Sequence, residues 1–140
     1  MSEEKCIFCL IAHGDIPCAK VYEDERVLAF LDLSPVHPGH TLVIPKDHYK
    51  DMLEVPCELA PAVFSALKKV GAAVMKATGA TGFNVMQNNG LSAGQTMFHI
   101  HWHIIPRFDG DGLGAWEQGK YPDAAAMQAM AANVAACLEQ

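Results

Sequence analysis

The run Phe98-His99-Ile100-His101-Trp102-His103-Ile104-Ile105 puts three imidazoles at every second position of an apolar stretch. In an extended strand, alternate side chains share a face. Phe98, Ile100, Trp102 and Ile104 then point one way, free to pack under a helix. His99, His101 and His103 point the other way. Two chemistries suit such a row. A metal can take one or two of the rings, but not all three on a regular strand, because the outer pair would stand about 13 Å apart at ~3.3 Å per residue. Phosphoryl transfer can use all three. Imidazole has a reference pKa of ~6.5, so near neutrality much of it carries a free lone pair that can attack phosphorus. Attack splits one hard displacement into two easier ones through a covalent intermediate. Neighbouring rings can donate to phosphoryl oxygens or protonate a leaving group. Just before the run, Asn88 to Gln95 is a polar, glycine-containing loop, followed by Thr96. Its side chains and exposed backbone N–H groups suit an anion.

A second constellation is Cys6-x-x-Cys9, half of a tetrahedral zinc site. The spacing alone serves a zinc site and a pair of buried thiols equally. It lacks the strand-to-helix setting of a thioredoxin-like dithiol. Cys18, Cys57 and Cys137 have no evident partners, and His13 and His37 read as surface or turn residues.

The elements that must position these groups are legible as pattern. Lys20 to Glu23 and Val27 to Asp32 read as strands joined by a hairpin turn. The turn cluster from Ser34 to Gly39 leads into a buried strand, His40 to Ile44, stopped by Pro45. Pro61 to Thr78 reads as the main helix. Pro61 sits at its first turn, Val63, Phe64, Leu67, Val70 and Val74 lie on one face, and Gly79 follows as its C-terminal cap. Gly71 weakens that helix unless another element packs closely against it. Gly82 to Gln87 and Met97 to Ile105 read as two further strands. Pro122 to Leu138 reads as an alanine-rich helix with Met127, Met130, Val134 and Leu138 packing on one face. Strands in neighbouring hairpins plus one main helix predict a compact α+β domain, an antiparallel sheet of about five strands, spanning 1–140 as a single unit.

Bulk composition narrows the class. Hydrophobic residues make up 51% and charged residues 19%, which excludes intrinsic disorder. Ten basic residues against sixteen acidic ones give a net charge of -6, and the basic residues are scattered. That argues against a nucleic-acid partner held through its backbone. No run approaches the ~20 apolar residues of a membrane span. The opening residues lack the form of a secretory signal. With five cysteines, an odd number, the expected setting is a reducing cytoplasm.

The chain resembles the histidine triad (HIT) family. The signature His-φ-His-φ-His-φ-φ, with φ apolar, is matched by His99 to Ile105 at every position. Cys6 to Cys9, Gly14 to Pro17, Phe30 to Asp32, Pro38 to Lys46 and Asn88 to Arg107 resemble family segments in family order. The resemblance implies that His101 attacks the α-phosphorus of a purine nucleotide. It implies that His103 and His40 contact phosphate oxygens and assist the leaving group, and that Asn88, Gln95 and Thr96 hold the phosphate. Asp32 would bind the ribose hydroxyls. Phe8, Ile11, Ile16, Val21 and Leu42 would form an apolar slot for the base. One branch of the family carries a structural zinc, which here would fall on Cys6, Cys9, His48 and His99; no organic cofactor is implied. The family is usually a homodimer with joined sheets and the main helix at the interface, where a close helix contact would suit Gly71. The implied activity is hydrolysis of nucleoside 5′-phosphoramidates or related adenylates. Hydrolysis of dinucleoside polyphosphates is the rival within the family, and the loop from Asp109 to Gly119 bears on that choice. A nucleotide-binding or scaffold protein, and a metal-carrying protein, are the rivals outside enzymology.

Overall fold

The computed structural model describes residues 6–114 and 118–138. The central part of the loop expected to separate the two hydrolase branches, residues 115–117, lies outside them, as do both ends of the 1–140 domain.

The chain forms a short helix α1 (Ile7–Ala12), strands β1 (Lys20–Glu23), β2 (Val27–Leu31) and β3 (Thr41–Pro45), and then two 3-10 turns. The main helix α2 (Ala60–Thr78), β4 (Gly82–Met86), a 3-10 turn, β5 (Trp102–Arg107) and α3 (Ala124–Ala136) follow. The strands make one antiparallel sheet in the order β1-β2-β3-β5-β4. This is the α+β architecture that the sequence predicts.

β2 and β3 are almost wholly buried because both of their faces are covered. On one face, Val27, Ala29, Val43 and Ile104 pack against Val63, Ala66, Val70 and Val74 of α2. On the other, Leu28, Phe30, Leu42 and Ile44 pack against Cys6, Phe8 and Cys9. The histidine segment therefore runs between a helix-covered face and a face partly closed by the N-terminal residues.

α2 starts with proline in its first turn and ends on Gly79, whose φ of 75° and N–H bond to the Met75 carbonyl form a left-handed cap. Phe64 was expected in the core but is 66% exposed. The buried stripe runs through Val63, Ala66, Val70 and Val74, and Phe64 lies one residue step, about 100°, off it. Gly71 also has a different explanation from a helix contact between subunits. A Cβ there would lie 2.7 Å from two ring carbons of Phe83 on β4, so Gly71 makes room for that ring within the chain.

Two further expectations are corrected, and one element was not anticipated. β5 begins at Trp102, not Met97. Upstream of it the backbone groups are bound outside the ladder: Ile100 N–H donates to the Tyr49 carbonyl and the His99 carbonyl accepts from its neighbour's ring. α1 had no sequence signal beyond its short apolar run. The apolar residues of α3 do not pack as expected: Met127, Met130, Val134 and Leu138 are all about half exposed or more, and none of its described residues is buried.

Candidate functional site

Four donor side chains from three separate segments meet at the N-terminal end of the histidine run. They are Cys6 and Cys9 at α1, His48 after β3, and His99, and their ligand atoms all lie within 4.8 Å of one another. Cys6 Sγ and Cys9 Sγ each stand 3.4 Å from His99 Nδ1, and Cys9 Sγ is 3.2 Å from His48 Nδ1. On its far side, His99 Nε2 is 2.9 Å from the Pro45 carbonyl oxygen. A carbonyl can only accept, so Nε2 carries the proton and Nδ1 turns a lone pair toward the sulfurs. Burial holds His99 down to about 4, which keeps the ring neutral. Cys6 Sγ also accepts from the Cys9 N–H, as an electron-rich sulfur does. Two thiols and two imidazoles converging in this way fit a tetrahedral cation, whose neighbouring S and N donors stand about 3.5 Å apart.

A second cluster lies two residues further along. Asp32 follows β2, His40 precedes β3, and His103 sits in β5 opposite Leu42 and Met86. His40 Nε2 is 2.8 Å from His103 Nδ1 and 3.6 Å from Asp32 Oδ2. The Val36 N–H donates to His40 Nδ1 at 3.0 Å. That nitrogen must be the bare one, so the His40 proton lies on Nε2 and is donated to His103 Nδ1. His103 in turn carries its own proton on Nε2. Burial pushes His103 down to about 4 and lowers His40 as well, so both rings are neutral at pH 7.

His101 stands between the two clusters. Its Nδ1 is 2.8 Å from the His99 carbonyl oxygen and must donate there, so Nε2 keeps an unshared lone pair. Burial lowers its pKa, although the His99 carbonyl and Asp32 act against this. The ring of Phe8 meets it edge-on at 5.2 Å, and the His103 ring lies 5.0 Å away. Its orientation is therefore set on two sides.

A cavity of 310 Å³ opens beside these rings, a volume in the range of small-molecule sites. Of the residues read from the sequence, Phe8, Ile11, Asp32, Leu42, Thr96, His101 and His103 line it. Asp32 is held by the Ser34 N–H on Oδ1. Ile16 does not line this cavity but faces a neighbouring one. Val21 lines neither and is 41% exposed on β1. Pro17, Cys18, Leu33 and Met97 are among the other residues of the wall. Their types carry no signal of a base slot, so sequence reasoning passed over them.

Gln95 is corrected more fully. It is 1% exposed, its amide donates to the carbonyls of Lys50 and Met97, and its oxygen accepts from the Gly90 N–H. Both of its donor hydrogens are spent on backbone, so it shapes the loop and has no donor left for a phosphate. Asn88 lies against Gly94 rather than in the cavity wall. His37, read as a turn residue, is tied to Asp111, which is itself gripped by Arg107.

Comparison with known proteins agrees with this geometry. The profile of the HIT domain family matches residues 13–110. "Protein hit" of Bacillus subtilis is 56% identical over 113 residues, covering 80% of this chain and 78% of that protein. An adenosine 5'-monophosphoramidase of Schizosaccharomyces pombe is 48% identical over 102 residues, covering 73% and 74% of the two chains. An adenylylsulfatase of Arabidopsis thaliana is 45% identical over 115 residues, or 82% of this chain and 58% of that one. Among solved structures, a HIT family protein from Bacillus subtilis superposes with a TM-score of 0.89 at 47% identity, over 97% and 99% of the chains. A zinc-bound histidine triad family protein from Mycobacterium smegmatis gives 0.76 at 35% identity, over 98% and 100%.

Proposed function

Since the chain belongs to the HIT family, we propose that it hydrolyses nucleoside 5′-phosphoramidates or related adenylates to the nucleoside monophosphate through a nucleotidyl-histidine on His101. The observation that carries this reading is the proton arrangement. His101 offers a bare Nε2 and His103 offers an Nε2–H, side by side at one cavity.

The nucleotide base lies in the apolar part of the cavity, against Phe8, Ile11 and Leu42, and Asp32 Oδ2 receives a ribose hydroxyl. The lone pair of His101 Nε2 forms the bond to phosphorus. The substrate reacts with its leaving nitrogen protonated: the bond from phosphorus to that nitrogen breaks, the electron pair stays on it, and it departs as a neutral amine to which the His103 Nε2–H donates a hydrogen bond. Water then attacks from the vacated side. The water's proton passes to solvent, the bond from phosphorus to His101 breaks with its electron pair returning to Nε2, and the monophosphate leaves. The Val36 N–H and His40 hold His103 in the tautomer that can donate.

Cys6, Cys9, His48 and His99 hold a structural zinc in this reading, a proposal supported by the convergent donor set and by the zinc-bound relative. Bound there, zinc ties the N-terminal helix to the segment carrying His101. The sheet edge β4, with Phe83 and Val85 partly exposed, is the surface on which a second copy would join the sheet into a homodimer. No described helix is long and apolar enough to cross a membrane, and the described cysteines are unbridged, which suits a reducing cytoplasm.

The test is an assay of adenosine 5′-phosphoramidate and a diadenosine polyphosphate side by side. Rapid AMP release from the phosphoramidate is expected, falling at least ~10³-fold in His101→Ala. Preference for the dinucleotide would move the protein to that substrate class. Turnover independent of His101 would refute the covalent route.

A further inference from the structure

The turn between β2 and β3 carries the Val36 N–H that sets the His40 tautomer, and it is held at two points. One anchor is steric. A Cβ on Gly39 would lie 2.7 Å from Thr78 Cγ2, so the turn sits hard against the end of α2. The other anchor is polar. His37 Nε2 is 3.3 Å from Asp111 Oδ2, in the loop after β5, and the His37 ring meets Phe108 edge-on at 5.3 Å. The His40 N–H donates to the His37 carbonyl at 3.0 Å, so residues 37–40 close on themselves. Fixing the His37 ring therefore fixes the backbone that presents the Val36 N–H.

Asp111 is a firm point for that ring to hold. Arg107 Nε donates to its Oδ2 at 2.8 Å and Arg107 Nη2 to its Oδ1 at 3.0 Å. The N–H groups of Phe108 and Leu113 donate to the same two oxygens. Arg107 is itself tied through Nη1 to Asn84 Oδ1 on β4, which anchors the carboxylate to the sheet. Arg107 first, and then the backbone donors, hold the Asp111 carboxyl well below the usual carboxylate range, so near neutrality it only accepts. His37 Nε2 must therefore donate to it.

His40 and His103 form a relay with two self-consistent states. In one, His40 donates its Nε2–H to His103 Nδ1, and His103 keeps an Nε2–H for the leaving nitrogen. In the other, the His40 proton lies on Nδ1, His103 donates its Nδ1–H to His40 Nε2, and His103 Nε2 is bare. Either state keeps the 2.8 Å bond between the rings. What distinguishes them lies outside that bond. The Val36 N–H fits only the first, and Asp32 Oδ2, 3.6 Å from His40 Nε2, favours the first as well. We infer that His37 and Asp111 are positioning residues, which clamp the Val36 N–H in place and so select the relay state in which His103 donates. The inference rests on the phosphoramidate reading for its effect on turnover, and on the tautomers alone for its effect on the resting protein.

The experiment compares His37→Ala with His37→Gln, whose amide N–H can reach Asp111 in place of the ring Nε2–H. His37 lies outside the core, so neither change opens a buried cavity. Histidine ¹⁵N spectra, thermal unfolding and AMP release from adenosine 5′-phosphoramidate are read together. In His37→Ala, His40 and His103 should show mixed tautomers, kcat should fall about five-fold, and KM should stay within about two-fold of the parent. His37→Gln should restore the parent tautomers and bring kcat back to within about two-fold. Parent-like tautomers in His37→Ala, equal impairment of the two variants, or a lower Tm with kcat and tautomers unchanged would each overturn the clamp. Absence of His101-dependent release from the parent would overturn the phosphoramidase reading instead, and the ¹⁵N spectra would still decide the clamp.

Discussion

Two side-chain clusters flank His101, and both bring metal-ligating atoms within 4.8 Å of one another. In the one built from Cys6, Cys9, His48 and His99, the His99 proton is drawn away to the Pro45 carbonyl, so lone pairs converge on the centre. In the one built from Asp32, His40 and His103, a backbone N–H occupies the outer nitrogen of His40. Its proton is thereby forced inward, between the two rings. The first arrangement suits a cation and the second holds a proton. What separates them is the polarity of one backbone group behind each histidine: a carbonyl in one case, an amide in the other. Proximity of donors alone does not define a metal site; the tautomer each ring is made to adopt decides what can sit between them.

The largest effect expected from this contrast is on stability. Cys9→Ala should abolish metal binding at this cluster and lower Tm by about 10 °C or more, read by metal analysis and thermal unfolding. Turnover per folded molecule should stay within about three-fold, because the proton cluster is untouched. Equal losses in stability and turnover would erase the distinction between the clusters.

Val36→Pro probes the other side. It removes the N–H that fixes His40, freeing that ring to place its proton outward. Turnover should fall about ten-fold with little change in Tm, and ¹⁵N spectra of the histidines should show mixed tautomers at His40 and His103. Cobalt titration sharpens the result. The parent protein should bind one equivalent with thiolate charge-transfer absorption, and a second equivalent should appear only in the variant. Two equivalents in the parent would break the comparison.

The smallest effect is in the pH dependence of stability. Burial depresses His103 from 6.5 to about 4, so the unfolded chain binds a proton that the folded one refuses across that window. The His103 contribution to stability should be constant above pH 6.5, fall as pH drops toward 4, and level off below. His103→Asn should remove part of that slope in an acid titration of Tm.

The parts legible from sequence were those with short-range periodicity. The short apolar runs of β2 and β3, the apolar stripe of α2 and the Gly79 cap are local patterns, and each appears where the pattern puts it. The site was legible to the extent that residue type determines chemistry. Phe8, Asp32, His101 and His103 do come to one cavity. Gln95 shows the limit. Its polar type and its loop suit a phosphate ligand, yet its hydrogen bonds go to the carbonyls of Lys50 and Met97 and to the Gly90 N–H. Phe64 and the apolar residues of α3 show the same limit for packing, since an apolar stripe states what a helix could bury and not whether a partner is there.

By itself, then, the sequence determined the α+β class, the helix and strand periods and the inventory of reactive groups, because those follow from backbone geometry and side-chain chemistry over a few residues. Only the tertiary structure decided which nitrogen of each histidine carries its proton. That choice depends on the Pro45 carbonyl, the Val36 N–H and the His99 carbonyl, which act through the backbone and not through their side chains. Pro45 lies 54 residues from the ring it orients, and a backbone carbonyl or amide is common to nearly every residue type, so no pattern of side chains can announce it.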